Sequence, residues 1–364
     1  MIKNMNLIKK ISSGKRPFVV AGPCSAESEE QVMSICVEIA KKPDVRLLRA
    51  GIWKPRTRPN SFEGLGKIAL PWLVNAGKVS NLPIATEVAN TKHVEESLKA
   101  GVDVLWIGAR TTVNPFAVQE IANALSGVNI PVMIKNPINP DLQLWLGAFE
   151  RLEQAGLKDL SAIHRGFSLY NHDKYRNVPN WKIPIALKEN RPDIPIICDP
   201  SHISGNRNLL LEVSQKAMDL NFEGLMIETH PNPGKAWSDA EQQVTSKGLG
   251  EILSKLVLRS VNVSKNINGR IEGFRSDIAE LDDQIFNVLK DRMLLSETVG
   301  KLKRENRLTI LDQKHWNQII TSRINNREDS FLSKQFIRQL MDAIHQESIR
   351  HQTKIMNTKK INLI

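Results

Sequence analysis

Residues 47–57 read LLRAGIWKPRT, an apolar run that ends in Arg49 and is followed within five residues by a second basic cluster, Lys54-Pro55-Arg56-Thr57. A buried strand with this sequence would bring three cations and a hydroxyl into one small space, which is costly unless an anion binds there. A solvated basic loop would also explain the stretch. The anion site is favoured because the pattern recurs: apolar runs along the chain close on residues with ligand chemistry.

Eight such runs lie between residues 17 and 230, and segments of helical length separate them. The runs are PFVVAG (17–22), RLLRAG (46–51), PIATEV (83–88), VLWIGA (104–109), PVMIKN (131–136), LSAIHRG (160–166), IPIICDP (194–200) and GLMIETH (224–230). Their continuous apolarity indicates strands buried on both faces, hence a parallel sheet. We therefore predict an α/β fold, a closed (β/α)8 TIM barrel. An open doubly wound sheet is the alternative, but Gly22-Pro23-Cys24 stands where its Gly-rich phosphate loop would follow the first strand.

The C-terminal strand ends of a barrel converge on one mouth, and here every such end carries a residue that can bind a metal, an anion or a proton. These residues are Cys24, Arg49, Glu87, Arg110, Lys135, Arg165, Asp199 and Glu228. With their neighbours they form a cationic set suited to phosphate and carboxylate groups: Arg49, Lys54, Arg56, Arg110, Lys135 and Arg165. A second set, Cys24, His202, Glu228 and Asp239, offers sulfur, nitrogen and oxygen donors, a mixture typical of a divalent first-row metal. Taken singly, a buried Cys24, a helix-capping Asp239 or a Glu228–His230 hydrogen bond would explain them without a metal.

Composition narrows the class of protein. The chain has 364 residues, enough for two domains, and no apolar run approaches the length of a membrane span. Its three cysteines, an odd number, indicate reduced thiols and hence a cytoplasmic protein. The net charge of +11 is spread along the chain without a helix-turn-helix or zinc-finger pattern. We expect neither a nucleic-acid partner nor a membrane partner.

The apolar period changes from strand to helix near residue 271. From Ile271 to Leu302 apolar residues recur in steps of three and four, which predicts a helix of about 50 Å that a domain of this size does not bury alone. A partner chain is therefore expected, as a homodimer or larger assembly. Arg292 fills one position of the apolar seam and Lys303 shares its face, which indicates an anionic ligand or a register-fixing polar residue. The predicted organisation is a barrel at 1–260, a linker at 261–270, a smaller all-α helical domain at 271–355 and a tail at 356–364.

The barrel region resembles the metal-dependent 3-deoxy-D-arabino-heptulosonate 7-phosphate (DAHP) synthases, specifically the type I-beta branch. The strings that carry the resemblance are AGPCS (21–25), LLRAGIWKPRT (47–57), IGAR (107–110), IKN (134–136), HRG (164–166), DPSH (199–202) and IETHPNPGKAWSDA (227–240). The resemblance implies that Cys24, His202, Glu228 and Asp239 hold a divalent metal, Mn²⁺ before Fe²⁺, Co²⁺ or Zn²⁺. It places phosphoenolpyruvate on Arg49, Lys54, Arg110, Lys135 and Arg165, and the phosphate of erythrose 4-phosphate on Arg56 and Thr57.

The reaction that the resemblance implies is an aldol-like condensation of these two substrates to DAHP and phosphate, the first step of the shikimate pathway, with Lys54 and His202 as candidate catalytic residues. The alternative in the same superfamily is the 3-deoxy-octulosonate 8-phosphate synthase, which uses arabinose 5-phosphate. Its loop after the second strand usually reads as an Asn-rich segment, so KPRT at 54–57 favours the four-carbon aldose. A phosphosugar sensor without catalysis would be expected to have lost some of the four metal-type residues, and all four are present.

Residues 271 to about 355 resemble the all-helical chorismate mutases, which rearrange chorismate to prephenate in an intertwined dimer. The resemblance carries the substrate-binding positions onto Arg275, Arg292, Lys303, Asp312, Ser348 and Gln352, with Arg292 and Lys303 as the catalytic cations and Arg275 reaching the partner's pocket. His315 and Trp316 stand where such mutases usually carry Arg and Glu, so a prephenate-binding module with poor turnover is the alternative. Only about 16 residues precede the first strand, which motivates the hypothesis that chorismate or prephenate in the helical domain feeds back on the barrel.

Overall fold

The computed structural model of the protein describes residues 7–12, 17–55, 60–169, 174–259, 265–312, 316–319, 321–322 and 331–357. The chain divides into two compact units, Met1–Val261 and Asn262–Ile364. Arg56 and Thr57, two of the predicted substrate-binding residues, and His315 lie outside the described residues.

The first unit is a closed parallel barrel. Its strands are β1 (Phe18–Gly22), β2 (Val45–Arg49), β3 (Ile84–Val88), β4 (Val104–Ile107), β5 (Val132–Lys135), β6 (Leu160–His164), β7 (Ile196–Cys198) and β8 (Gly224–Glu228). Each strand pairs in parallel with the next, and β8 pairs with β1, so the sheet closes on itself. The predicted (β/α)8 barrel is confirmed, and all eight strands coincide with the apolar runs of the sequence.

The helices of this unit are an outer layer that follows the strands and one short helix that precedes β1. They are α1 (Leu7–Ser12), α2 (Glu29–Ala40), α3 (Leu70–Ser80), α4 (Thr91–Ala100), α5 (Ala109–Thr112), α6 (Pro115–Ala124), α7 (Leu142–Gln154), α8 (Lys182–Asn190), α9 (Pro200–Ser204), α10 (Leu210–Asp219) and α11 (Ser246–Lys255), with 3-10 turns at Gly66–Ala69, Arg207–Leu209 and Pro233–Lys235. Alternate strand residues face opposite ways. Val20, Trp106 and Met133 belong to a core inside the barrel, whereas their neighbours pack outwards against the helices.

The short helix α1 packs at the N-terminal end of the barrel. Ile8 is fully buried in the inner core. The backbone N–H groups of Ile8 and Lys9 donate to the two carboxylate oxygens of Asp159, just before β6, at 2.9 and 3.2 Å. No sequence pattern predicts this helix. Because α1 covers the N-terminal end, the residues available for binding lie at the other end of the barrel.

One glycine shows how closely β1 and β2 approach at the C-terminal end. Gly22 has φ +148°, and a Cβ placed on it would lie 1.9 Å from the carbonyl oxygen of Arg49. Only glycine fits such a contact. The close approach brings the residue after β1, Cys24, next to the end of β2, where Arg49 stands.

The second unit is built on two long helices, α12 (Lys265–Glu305) and α13 (Lys334–Asn357), which pack against each other. This confirms the predicted all-α region after the barrel, and α12 begins within the stretch for which the sequence predicts a linker. Met293, Ile337 and Ser348 are buried between the helices. Many apolar side chains of α12 remain exposed within this unit: Phe274, Ile278, Leu281, Ile285, Val288, Leu295, Val299 and Leu302. Among the described helices, none is both long and apolar enough to cross a membrane.

Candidate active sites

The four metal-type residues gather at the C-terminal mouth of the barrel. Cys24 follows β1, Glu228 ends β8, and Asp239 lies in the loop after β8. Their ligand atoms all lie within 4.8 Å of one another. His202, on α9 after β7, places Nε2 3.7 Å from Oε1 of Glu228. The structure thus brings the predicted sulfur, nitrogen and oxygen donors to one place.

The thiol of Cys24 is held in its neutral form by its surroundings. Burial, and then the charge of Glu228, raise the pKa of Cys24 to about 12. Lys54 Nζ lies 2.9 Å from the sulfur, and Asp239 Oδ2 lies 3.1 Å from it. A thiol between two carboxylates is suited to lose its proton when a divalent cation arrives, because the cation offsets their charge. The donor set therefore fits a first-row divalent metal.

His202 is oriented by a carboxylate that it shares with a lysine. Its Nδ1 lies 2.9 Å from Oδ2 of Asp199, and the same oxygen accepts a hydrogen bond from Lys135 Nζ at 2.9 Å. Although burial alone would raise it, the charges of His202 and Lys135 hold the pKa of Asp199 well below its usual range. With Nδ1 beside the carboxylate of Asp199, Nε2 is the ring nitrogen that faces Glu228, an arrangement usual for histidine ligands of metals.

The predicted anion-binding cations lie beside this cluster. Arg49 donates from Nη1 to Glu228 Oε1 and from Nη2 to the carbonyl oxygen of Cys24, both at 3.0 Å. Arg165 is buried, and its Nη1 donates to Asn177 Oδ1 at 2.8 Å. Burial, opposed by the charge of Asp199 and assisted by that of Arg110, lowers the pKa of Arg165 to about 10. Cations crowded in this way favour the binding of an anion.

In the helical unit, Arg292 and Ser348 meet between α12 and α13. Arg292 Nη1 donates to Ser348 Oγ, and burial lowers the pKa of Arg292. Lys303 Nζ donates to the carbonyl oxygen of Ile310. Gln352 packs against Gly300, where an added Cβ would lie 3.1 Å from Gln352 Cα. Its buried Oε1 accepts no hydrogen bond from the described residues.

Two further predicted residues of the helical unit are Arg275 and Asp312. Arg275 is exposed on α12 and its Nη1 pairs with Glu272 at 2.6 Å. The carbonyl oxygen of Asp312 accepts a hydrogen bond from the backbone N–H of Trp316 at 3.0 Å. The indole of Trp316 stacks on the His345 ring, with centroids 3.8 Å apart and planes inclined by 11°. An aromatic stack thus stands where the resemblance leads one to expect Glu.

Comparison with protein families identifies both units. The model of the DAHP synthetase I family matches residues 3–263, and that of chorismate mutase type II matches residues 274–353. The chain belongs to the DAHP synthetase I family. The predicted fusion of a DAHP synthase barrel with a helical chorismate mutase domain is confirmed, and the chain is an enzyme with both domains.

Relatives and solved structures agree with this membership. A phospho-2-dehydro-3-deoxyheptonate aldolase of Thermotoga maritima is 29% identical over 238 residues, which cover 65% of this chain and 68% of the relative. A 2-dehydro-3-deoxyphosphooctonate aldolase of Francisella tularensis subsp. holarctica is 26% identical over 265 residues, 68% of this chain and 92% of the relative. A crystal structure of the Thermotoga maritima DAHP synthase superposes with a TM-score of 0.59 at 28% identity and covers 66% of this chain and 68% of that one.

Several residues around the metal-type cluster of the synthase domain are absent from the sequence prediction. Arg176 Nη1 donates at 2.8 Å both to Asp239 Oδ1 and to Gln242 Oε1, and Gln242 Nε2 donates to Glu228 Oε2 at 2.6 Å. Arg176 and Gln242 thus tie the two carboxylates together from outside. Nothing in the local sequence marks Arg176, because its two contacts reach residues 63 and 66 positions further along the chain.

His230 also differs from the simplest sequence interpretation. Its Nε2 lies 3.3 Å from Glu27 Oε2, and Glu27 Oε1 accepts from the backbone N–H of Trp237 at 2.8 Å. His230 therefore pairs with Glu27 and not with Glu228. The pair fastens the loop that carries Asp239 to the loop that carries Cys24.

Proposed function

We propose that the barrel catalyses the metal-dependent condensation of phosphoenolpyruvate with erythrose 4-phosphate to DAHP and phosphate, and that the helical domain rearranges chorismate to prephenate. The observation that carries the proposal is that the cationic set and the metal-type set share partners. Lys135 and His202 meet on one carboxylate of Asp199, and Arg49 is paired with Glu228. A site so connected holds phosphate and carboxylate groups directly beside a Lewis acid.

The donor set would hold a divalent cation, Mn²⁺ first and Fe²⁺, Co²⁺ or Zn²⁺ as alternatives, on Cys24, His202, Glu228 and Asp239. When bound, the cation supplies Lewis-acid polarisation of the aldehyde. Membership of a generally metal-dependent family and the close approach of three of the donors support this assignment.

The side chains of the barrel hold the substrates in place. We assign phosphoenolpyruvate to Arg49, Lys54, Arg110, Lys135 and Arg165, and the aldose phosphate to Arg56 and Thr57. Arginine forks suit the phosphate and carboxylate of phosphoenolpyruvate. Holding the two substrates side by side makes their reaction effectively unimolecular. The buried partners of the cations, Glu228 and Asp199, keep them in position before the substrate arrives.

Carbon 3 of phosphoenolpyruvate forms a bond to the aldehyde carbon, whose oxygen takes up a proton. Water adds to carbon 2 of phosphoenolpyruvate, loses a proton, and phosphate leaves. Lys54 is the candidate donor to the aldehyde oxygen. Burial alone would lower the pKa of Lys54, but Cys24 and Glu228 raise it above its usual value, so Lys54 is protonated at neutral pH. His202, the other candidate, would take part in proton handling near the attacking water.

For the mutase domain we assign Arg292, Lys303, Asp312, Ser348 and Gln352 to chorismate, with Arg275 reaching the site of a partner chain. The rearrangement needs restraint of the substrate and cations near its carboxylates and ether oxygen, without a nucleophile. Arg292 and Lys303 are the catalytic cations in this assignment. The exposed apolar residues along α12 support a homodimer, since a second copy would cover them. Prephenate binding with poor turnover is the alternative. The Trp316–His345 stack supports it, because an aromatic ring stands where the mutases usually carry Glu.

Two finer assignments complete the proposal. Chorismate or prephenate bound to the helical domain inhibits the barrel, so the second product regulates the first reaction. The enzyme works in the cytoplasm, which the free state of Cys24, Cys36 and Cys198 supports. Synthase rates that are equal with and without prephenate in the full chain would contradict the regulatory assignment.

The experiment that tests the proposed synthase reaction follows phosphoenolpyruvate consumption with each aldose separately. We expect consumption with erythrose 4-phosphate and release of one phosphate per phosphoenolpyruvate. Consumption only with arabinose 5-phosphate would reassign the barrel to the octulosonate reaction. Consumption with neither aldose would leave a sensor and contradict the proposal.

A further inference from the structure

Trp106 forms the floor of the synthase site. It lies on β4, is fully buried and belongs to the core inside the barrel. The guanidinium carbon of Arg49 lies 4.8 Å from the centroid of its ring, and Lys135 Nζ lies 5.9 Å from it. One indole therefore contacts two of the cations that the proposed function assigns to phosphoenolpyruvate.

The indole stabilises the charges of Arg49 and Lys135, which are both buried in this site. Among the described residues, Arg49 forms an ion pair with Glu228 and Lys135 forms one with Asp199. Two like charges in a site from which water is largely excluded repel each other. The negative face of an indole attracts both cations and, unlike a third carboxylate, does not neutralise them. Their charge stays available to an incoming anion.

The edge of the same indole holds a carboxylate. Trp106 Nε1 donates to Glu87 Oε2 at 2.9 Å. The other oxygen of Glu87 lies against the next turn, where a Cβ on Gly108 would be only 2.1 Å from Oε1. Glu87 is thus confined between the indole and the backbone that leads to Arg110. Its charge is one of those acting on Arg165, so the indole also influences the far side of the cationic set.

We propose that Trp106 is a positioning residue for the synthase reaction, which holds Arg49 and Lys135 against its ring face and Glu87 at its N–H. The inference rests on the proposed assignment of these two cations to phosphoenolpyruvate. Trp106 acts through the cations and does not touch the substrate. Its loss therefore weakens phosphoenolpyruvate binding and leaves binding of the aldose unchanged.

The test compares Trp106→Leu and Trp106→Phe with the unsubstituted full-length chain, each supplied with the same Mn²⁺ concentration. Calorimetric titration with phosphoenolpyruvate alone gives its Kd, and initial rates give separate KM values for the two substrates. Trp145→Phe is the matched control. Trp145 is equally buried and its Nε1 donates to Ile134 O at 3.1 Å, but it packs in the outer core.

We expect Trp106→Leu to raise the Kd and KM of phosphoenolpyruvate roughly tenfold, the size of a lost desolvated cation–π contact, and the KM of erythrose 4-phosphate less than twofold. Trp106→Phe keeps a weaker ring but loses the N–H, so we expect a rise of about threefold. The Trp145→Phe chain should match the unsubstituted one. If the Trp106→Leu variant does not fold, the phosphoenolpyruvate affinity of the Trp106→Phe variant tests the inference.

Unchanged phosphoenolpyruvate affinity in a folded Trp106 variant would overturn the inference, as would equal rises in both KM values. An unsubstituted chain that binds no phosphoenolpyruvate would overturn the proposed function, and this inference with it. The first two results leave the proposed function intact, so the two failures are distinguishable.

Discussion

The barrel and the helical unit differ in how their charged site residues are paired and in how their apolar residues are covered. In the barrel, one chain supplies both members of each buried ion pair, Arg49 with Glu228 and Lys135 with Asp199. In the helical unit, Arg292 donates a hydrogen bond to the hydroxyl of Ser348. A row of apolar residues on α12 is exposed within this unit. A sheet that closes on itself completes its own core, but a long helix with an apolar stripe requires another helix to cover it.

The largest expected effect is a loss of synthase activity that leaves mutase activity unchanged. Cys24→Ser replaces a soft thiolate donor with a hydroxyl and should lower synthase kcat/KM by at least about 100-fold, while mutase activity is unchanged. Both activities are measured on one preparation. Cys36→Ser is the control, since Cys36 is buried in the outer core away from the donor set. A parallel fall in both activities would show that the two units do not function independently.

The second prediction tests whether the apolar residues of α12 are covered by another copy. Leu295 is 68% exposed within the unit. Leu295→Glu should convert the proposed dimer to a monomer and lower mutase activity at least tenfold, because buried charge in such a seam is unfavourable and Arg275 would no longer reach a partner. Light scattering of the eluted protein gives the mass of the variant and of the unsubstituted chain. Lys301→Glu, at an exposed position of the same helix, should change neither quantity. The same mass for Leu295→Glu and the unsubstituted chain would refute the proposal that a second copy covers these residues.

The third prediction concerns the N-terminal helix of the barrel. Ile8→Ala removes a fully buried side chain from the inner core and should lower the free energy of unfolding of the barrel by about 2–4 kcal/mol. Lys9→Ala, at an exposed position beside it, serves as the control. Urea unfolding measures both. An effect of Ile8→Ala no larger than that of Lys9→Ala would mean that α1 does not contribute to barrel stability.

The smallest effect is a pH dependence of barrel stability. His164 lies among Phe167, Trp181 and Phe222, and burial lowers its pKa from 6.5 to about 3. The unfolded chain therefore binds a proton that the folded one does not between these values. The contribution is complete above about pH 6.5 and is lost as the pH falls towards 3, by about 2 kcal/mol at pH 5.

His164→Phe should remove this part of the acid sensitivity. We expect the unfolding free energy of the variant to fall less between pH 7 and pH 5 than that of the unsubstituted chain. Equal slopes in urea unfolding at both pH values would contradict the assignment of a neutral, buried His164.

The sequence predicts the barrel and its two sets of ligand-type residues because both are short-range patterns. An apolar run and the residue that ends it are neighbours in the chain, and a closed barrel then brings all eight ends together. The site residues that the sequence does not predict make contacts with residues far away in the chain. Trp106 reads as one more apolar strand residue, and its role emerges only when Arg49 and Lys135 from other strands lie over its ring.

The helix α1 and the role of Gln242 are not predicted from the sequence for the same reason. Asp159 meets the N–H of Ile8 from 151 residues away, and no periodicity reports such a contact. The side-chain amide of Gln242 has neither charge nor apolar period to mark it, yet it joins Arg176 to Glu228. In the helical unit the spacing of apolar residues correctly predicts the helix α12, whereas the stack of Trp316 on His345 depends on the packing of distant segments.

The most direct test of the central claim, that one chain carries a metal-dependent and a metal-independent active site, is to measure both reactions on the same full-length preparation before chelation, after it, and with Mn²⁺ restored. The account predicts that condensation of phosphoenolpyruvate with erythrose 4-phosphate is lost on chelation and recovers with Mn²⁺, while conversion of chorismate to prephenate continues throughout. Full condensation in the chelated chain, or loss of the chorismate reaction with the metal, would contradict it.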